Sequence, residues 1–144
     1  MIKLSQNPIF IVGFPRSGTT LLQSILATQK NIFSFPETHY FCSIQNHIKT
    51  ESTGFINPNC LVRVFKKIEE KTDLKFSSEK IKIIEKLASS NQLNIKTLFE
   101  FLVQELLFKH EKIDLLSDFR WVEKTPGHIS HVNFIHELYP NGIF

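Results

Sequence analysis

The residues best placed to do chemistry lie in Gly13-Phe14-Pro15-Arg16-Ser17-Gly18-Thr19-Thr20, directly after the apolar run Ile9-Phe10-Ile11-Val12. A strand, a Gly/Pro turn and the helix-forming stretch Leu21-Leu22-Gln23-Ser24-Ile25-Leu26 make an anion cradle. Amides of the turn and of the first helical turn converge there, and the helix dipole adds partial positive charge. The spacing follows the phosphate-binding pattern G-x-x-x-x-G-K-[ST], with Thr19 where the lysine belongs. A loop that hydrolyses ATP or GTP needs that lysine on the β/γ-phosphates and an acid to hold Mg²⁺. Here the cation is Arg16, inside the turn, and no apolar strand ends in the required aspartate. A guanidinium in that place can fork two hydrogen bonds onto adjacent oxygens of a phospho-anhydride without a metal. Arg16, Ser17, Gly18, Thr19 and Thr20 are therefore the candidate anion-binding residues.

Two further groups fall at comparable places. Glu37 follows Ile32-Phe33-Ser34-Phe35-Pro36, and Lys124 closes Arg120-Trp121-Val122-Glu123-Lys124 before Thr125-Pro126. Arg16, Glu37 and Lys124 each lie just beyond the carboxyl end of an expected strand, the edge at which open parallel sheets bind ligands. Glu37 can also be read as a solvated carboxylate, and Lys124 as a surface partner of Glu123 or Asp118. His39 stands two residues past Glu37. His128 and His131 stand three apart, and neither they nor His110 acquire a carboxylate or cysteine with metal-ligand spacing, so no metal is expected. His47 and His136 receive no role, and Trp121 is assigned to packing.

These groups need strands and helices to hold them. Ile9–Val12 reads as a buried parallel strand, the Leu21/Leu22/Ile25/Leu26 spacing as a helix over 18–29, and Ile32–Phe35 as a second strand. Strand, helix, strand implies a right-handed parallel crossover. Residues 50–58 read as a loop. Apolar faces on Leu61/Val62/Phe65/Ile68, Ile81/Ile84/Leu87/Ala88 and Ile95/Leu98/Phe99/Leu102/Leu106/Leu107 predict three amphipathic helices, an insertion over about 60–112. Ser77 or Ser78 and Asn94 are candidate N-caps. Arg120–Lys124 reads as a third strand, Ile129/Val132/Ile135/Leu138 as a last helix, and Gly142-Ile143-Phe144 as the start of a fourth strand.

At 144 residues the chain is one domain, and a net charge of +3 suits an anionic ligand but is too small to argue for nucleic acid. Cys42 and Cys60 are too few for a disulfide framework, which makes a reducing compartment the default. Residues 1–8 do not read as a signal peptide, and the apolar run reaches Arg16 too soon to span a membrane. The expectation is a soluble, cytoplasmic protein without a membrane partner.

Phe14-Pro15-Arg16-Ser17-Gly18-Thr19-Thr20-Leu21-Leu22 resembles the 5′-phosphosulfate-binding loop of sulfotransferases that use 3′-phosphoadenylyl sulfate. Its arginine form is similar to the branch with tyrosylprotein and many bacterial sulfotransferases. Pro36-Glu37-Thr38 lies where the tyrosylprotein branch carries its Glu-Thr base segment. Trp121-Val122-Glu123-Lys124-Thr125-Pro126 is similar to the family's Lys-x-Pro strand end, and Tyr139-Pro140-Asn141 to its Phe-Pro-(Asp/Asn) turn. The resemblance covers residues 1–40 and 120–144 and leaves the middle helices unrecognised.

The resemblance implies an α/β fold, a P-loop-type parallel sheet flanked by helices. It implies 3′-phosphoadenylyl sulfate as sulfuryl donor, with Arg16 and Lys124 on the donor and Glu37 as base, His39 being the rival base because other sulfotransferases use histidine. The acceptor would be a small molecule, a carbohydrate or a peptide. Family members continue into a strand with 3′-phosphate ligands, so residues 1–144 are expected to form a domain truncated before that strand, weakly active and with an unpaired sheet edge. Two other readings stay open, an atypical nucleotide kinase or NTPase and a non-catalytic anion-binding fragment.

Overall fold

The computed structural model describes residues 4, 7–44, 58–72, 74–90, 93–109 and 119–144. Three short strands, β1 (Ile9–Ile11), β2 (Ile32–Ser34) and β3 (Arg120–Lys124), form a wholly parallel sheet in the order β1-β3-β2. The expected β1–helix–β2 crossover exists, but the two strands are not neighbours, because β3 enters between them from far along the chain. Ile9 pairs with Val122 and Ile11 with Lys124, while Ile32 pairs with Arg120 and Ser34 with Val122. All three strands therefore release their chains at one edge. On the far side of β1, Phe10 donates its amide to Ile143 O at 2.8 Å and Ile143 donates to Pro8 O at 2.9 Å. The expected fourth strand thus begins as a single parallel bridge between Ile9 and Ile143.

The described residues also form six α-helices: α1 (Thr19–Leu26), α2 (Tyr40–Ile44), α3 (Pro58–Lys71), α4 (Ser78–Ser89), α5 (Ile95–Lys109) and α6 (Val132–Leu138). The helix α2 has no counterpart in the expectations drawn from sequence. At the other end, the single expected last helix is two pieces, a 3-10 turn over Pro126–His131 and then α6. Pro126 sits at the start of the tight turn, where its missing N–H costs nothing. The change of pitch puts Ile129 in solvent while Ile135 stays buried. Helix α1 is also shorter than expected, ending at Leu26 with Ala27 as its C-cap.

Strand alternation sorts the side chains. On one face, Phe10 and Trp121 meet Phe41 of α2, Phe99 of α5 and Tyr139, with ring centroids 4.8–6.5 Å apart. Trp121 is fully buried there, as its packing role requires. The three middle helices extend this core through Leu61, Phe65 and Ile68, Ile84 and Ala88, and Leu98, Phe99 and Leu102. Ser77 accepts from the Lys80 amide, and Asn94 Oδ1 accepts from the Thr97 amide at 2.8 Å, so both expected caps form. On the other face α1 packs against all three strands, yet none of its residues is fully buried. Leu21, Leu22 and Ile25 instead stand in solvent, as does Phe14 of the loop.

Candidate functional site

Gly13 leaves β1 with its amide donated to Pro126 O at 3.2 Å, tying the loop to the end of β3. Ser17 then closes the turn, donating its amide (3.3 Å) and its hydroxyl (2.7 Å) to Phe14 O. A Cβ at Gly13 would meet that Ser17 hydroxyl at 3.0 Å, so the turn accepts no larger residue without shifting. Arg16 takes a left-handed backbone, φ 67°, and Gly18 repeats it at φ 86° before α1 begins. Alternating hands of this kind turn successive N–H groups toward one concavity. Among the described residues, the amides of Arg16, Gly18, Thr19 and Thr20 have no backbone acceptor. The Arg16 side chain is exposed and makes no ion pair with them. Thr19 and Thr20 form the first turn of α1, whose amides have no intrahelical acceptor and whose dipole end faces the loop.

The Lys124 side chain, nearly buried, reaches from the end of β3 to this helix start, with Nζ 3.5 Å from Thr20 Oγ1. It also forms an ion pair with Glu37 Oε1. The other Glu37 oxygen lies 3.2 Å from His39 Nε2. The two base candidates are thus in contact, and His39 achieves this with a left-handed backbone, φ 51°. Glu37, His39, Lys124 and Thr20 form one cluster; Arg16 sits on the loop beside it with its guanidinium in solvent. Lys124 does not pair with Glu123, which points into the opposite face; its other surface alternative, Asp118, lies outside the described residues.

Glu123 and His128 carry no role in the motif reading, yet they anchor a buried network directly behind the cluster. Glu123 Oε1 accepts from Thr125 Oγ1 at 2.6 Å, Thr38 Oγ1 at 2.9 Å and the Thr38 amide at 3.4 Å. Its Oε2 lies 2.9 Å from His128 Nδ1. Burial pushes the Glu123 pKa up, but the charge and hydrogen bond of His128 and the two threonine hydroxyls outweigh it and hold the carboxyl below its usual 4.5. Two influences act oppositely on His128. Burial disfavours a charged ring, yet the Glu123 charge, helped by hydrogen bonding to Cys42 and to Glu123, more than offsets this and lifts the pKa to about 9. The Phe41 amide, however, donates to Nε2 at 3.2 Å, which needs a lone pair there. The backbone fixes the direction of that N–H, so this contact belongs to the ring with Nε2 unprotonated; a proton on Nε2 breaks the Phe41 bond.

Gln23 of α1 is a second residue that motif spacing does not mark. Its Nε2 donates to Ser34 Oγ at 2.7 Å and to Phe35 O at 3.0 Å, fastening the loop helix to the end of β2. The glutamine stands inside an apolar helical pattern, and only its partners across the sheet reveal its use.

The profile of the sulfotransferase family matches residues 8–144. The chain belongs to the sulfotransferase family. That assignment carries sulfuryl transfer as its general chemistry. No curated protein matches this sulfotransferase chain significantly. Among the described residues no cluster of three His, Cys, Asp or Glu side chains is placed to hold a metal ion, and no helix is long and apolar enough to cross a membrane.

Proposed function

We propose that the protein transfers a sulfuryl group from 3′-phosphoadenylyl sulfate to an acceptor hydroxyl at the rim formed by Arg16, Glu37 and Lys124. The observation that supports this most directly is the meeting of Lys124 with both Thr20 and Glu37. It puts a cation and a carboxylate beside a helix start whose amides have no backbone acceptor among the described residues. A phosphosulfate anhydride fits that donor set, because its charge is matched by amides, a guanidinium and an ammonium without a divalent ion.

In this reading the Arg16 guanidinium and the amides of Gly18, Thr19 and Thr20 hold the 5′-phosphate, with the Thr19 and Thr20 hydroxyls alongside. Ser17 contributes mainly by bracing the turn, since its hydroxyl proton is committed to Phe14 O. The donor supplies an activated sulfur whose bond to the bridging oxygen is the one broken. Glu37 takes the proton of the acceptor hydroxyl as its oxygen bonds to sulfur, and His39 steadies the Glu37 carboxylate. Lys124 offsets the charge that grows on the leaving phosphate. The products are a sulfate ester and 3′-phosphoadenosine 5′-phosphate. Holding two substrates in line supplies much of the acceleration. The acceptor is a small molecule, a carbohydrate or a peptide hydroxyl, and the cytoplasm is the proposed compartment.

Calorimetric titration with chelator present tests the reading. The phosphosulfate donor is expected to bind without metal, and Arg16→Ala to weaken it about a hundredfold, roughly two charge-assisted hydrogen bonds. Binding of ATP only with Mg²⁺, and none of the donor, would transfer the site to a kinase or NTPase. No effect of Arg16→Ala on any ligand would leave a non-catalytic fragment.

A further inference from the structure

Resting on that function for Glu37, we propose that the buried carboxylate of Glu123 is a positioning group that, through Thr38, sets Glu37 against Lys124. The inference begins with the backbone that carries Glu37. Between Glu37 and α2 the chain makes no strand and only a short helical start, so its amides have few carbonyls to meet. Four consecutive amides are instead accepted by side chains: Thr38 by Glu123 Oε1, His39 by Thr125 Oγ1, Tyr40 by Thr38 Oγ1 and Phe41 by His128 Nε2. Thr125 and His128 are themselves held by Glu123, so three of the four acceptors converge on one carboxylate and the fourth is it.

Strand geometry makes the coupling tight. Glu123 and Lys124 are adjacent on β3 and point to opposite faces. One grips Thr38 from the interior while the other grips Glu37 at the rim, so two neighbouring β3 residues clamp two neighbouring residues of the segment. Glu123, Thr38 and Thr125 are all buried, which removes water as a substitute acceptor. Loss of one hydroxyl leaves a buried partner unpaired, and the segment must shift to repair it. Glu37 and His39, attached on either side of Thr38, move with it.

Thr38→Val and Thr38→Ser separate position from bulk stability in the full chain. Valine keeps the shape and removes the hydroxyl; serine keeps the hydroxyl. The ring ¹⁵N signals of His39, whose Nε2 touches Glu37, report the geometry without any reaction. We expect these signals to move in Thr38→Val and to stay in place in Thr38→Ser. Thr38→Val is also expected to lower kcat at least tenfold with less than threefold change in donor KM, and Thr38→Ser to recover most of it. Unchanged His39 signals in folded Thr38→Val, or equal loss of kcat in both variants, would overturn the proposal. If the signals move as expected but the wild-type chain transfers no sulfuryl group, the function fails while the positioning role stands. If Thr38→Val does not fold, Thr125→Val replaces it: moved His39 signals then support the positioning role, and unmoved signals overturn it.

Discussion

The Arg16 loop and the Glu37 segment leave the two outer strands at the same edge of the sheet, yet they are held in opposite ways. The loop spends few of its donors on protein: Gly13 on Pro126 O and Ser17 on Phe14 O, with four further amides lacking a backbone acceptor among the described residues. The segment spends all four amides from Thr38 to Phe41 on side chains. The contrast follows from what each would handle. An anion is best met by backbone donors turned outward, whereas a base must stand at a fixed distance from its substrate and needs its own backbone immobilised. Lys124 is the group both regions share.

The comparison is broken most severely at the segment. Glu37→Gln keeps the size and the network behind it but removes the proton acceptor, and sulfuryl transfer is expected to fall by about 10²–10⁴. Donor affinity measured calorimetrically should change little; an equal loss of affinity would place Glu37 with the loop. A second test uses acid. Because Glu123 is held below its usual 4.5 in the folded protein, it contributes stability that is complete above that pH and lost as pH falls through the folded-state value. Denaturant unfolding followed by circular dichroism should therefore show wild type weakening on acidification, by at most about 1.4 kcal/mol per pH unit from this group. Glu123→Gln should lack that part of the slope, while Arg16→Ala should keep it. The smallest effect belongs to the loop. Gly18→Ala puts a Cβ on a left-handed residue with open space around it, so only backbone strain of about 1 kcal/mol is expected in thermal melts.

How much of this was legible in the sequence depended on range. The loop could be read because strand, turn and helix signals are contiguous between Ile9 and Leu26, and the chemistry sits on the turn itself. The parallel α/β architecture followed, as did three central helices whose apolar spacing matches buried faces. Lys124 and Glu37 could be put at one edge because strand ends share an edge in any parallel sheet. Their direct pairing could not, since it spans 87 residues. Glu123 was hidden for a similar reason: a carboxylate beside a lysine on a strand looks like a surface pair until the alternation of β3 is anchored by Trp121 in the core. The short helix α2 escaped because its five residues carry no repeat, and its start is fixed by distant side chains. The apolar spacing of α1 was read correctly as helical, but spacing alone does not say that Leu21, Leu22 and Ile25 face solvent.

The hand of a single residue has a practical consequence. Arg16 adopts φ 67°, a conformation glycine accepts freely and other residues accept at a cost of about 1–2 kcal/mol. The fold bears that cost at the place where the proposed function needs a guanidinium. Laboratory selection for heat tolerance alone would therefore drift toward glycine at this codon, and a thermostable variant obtained that way would have traded its grip on the donor for a calmer backbone.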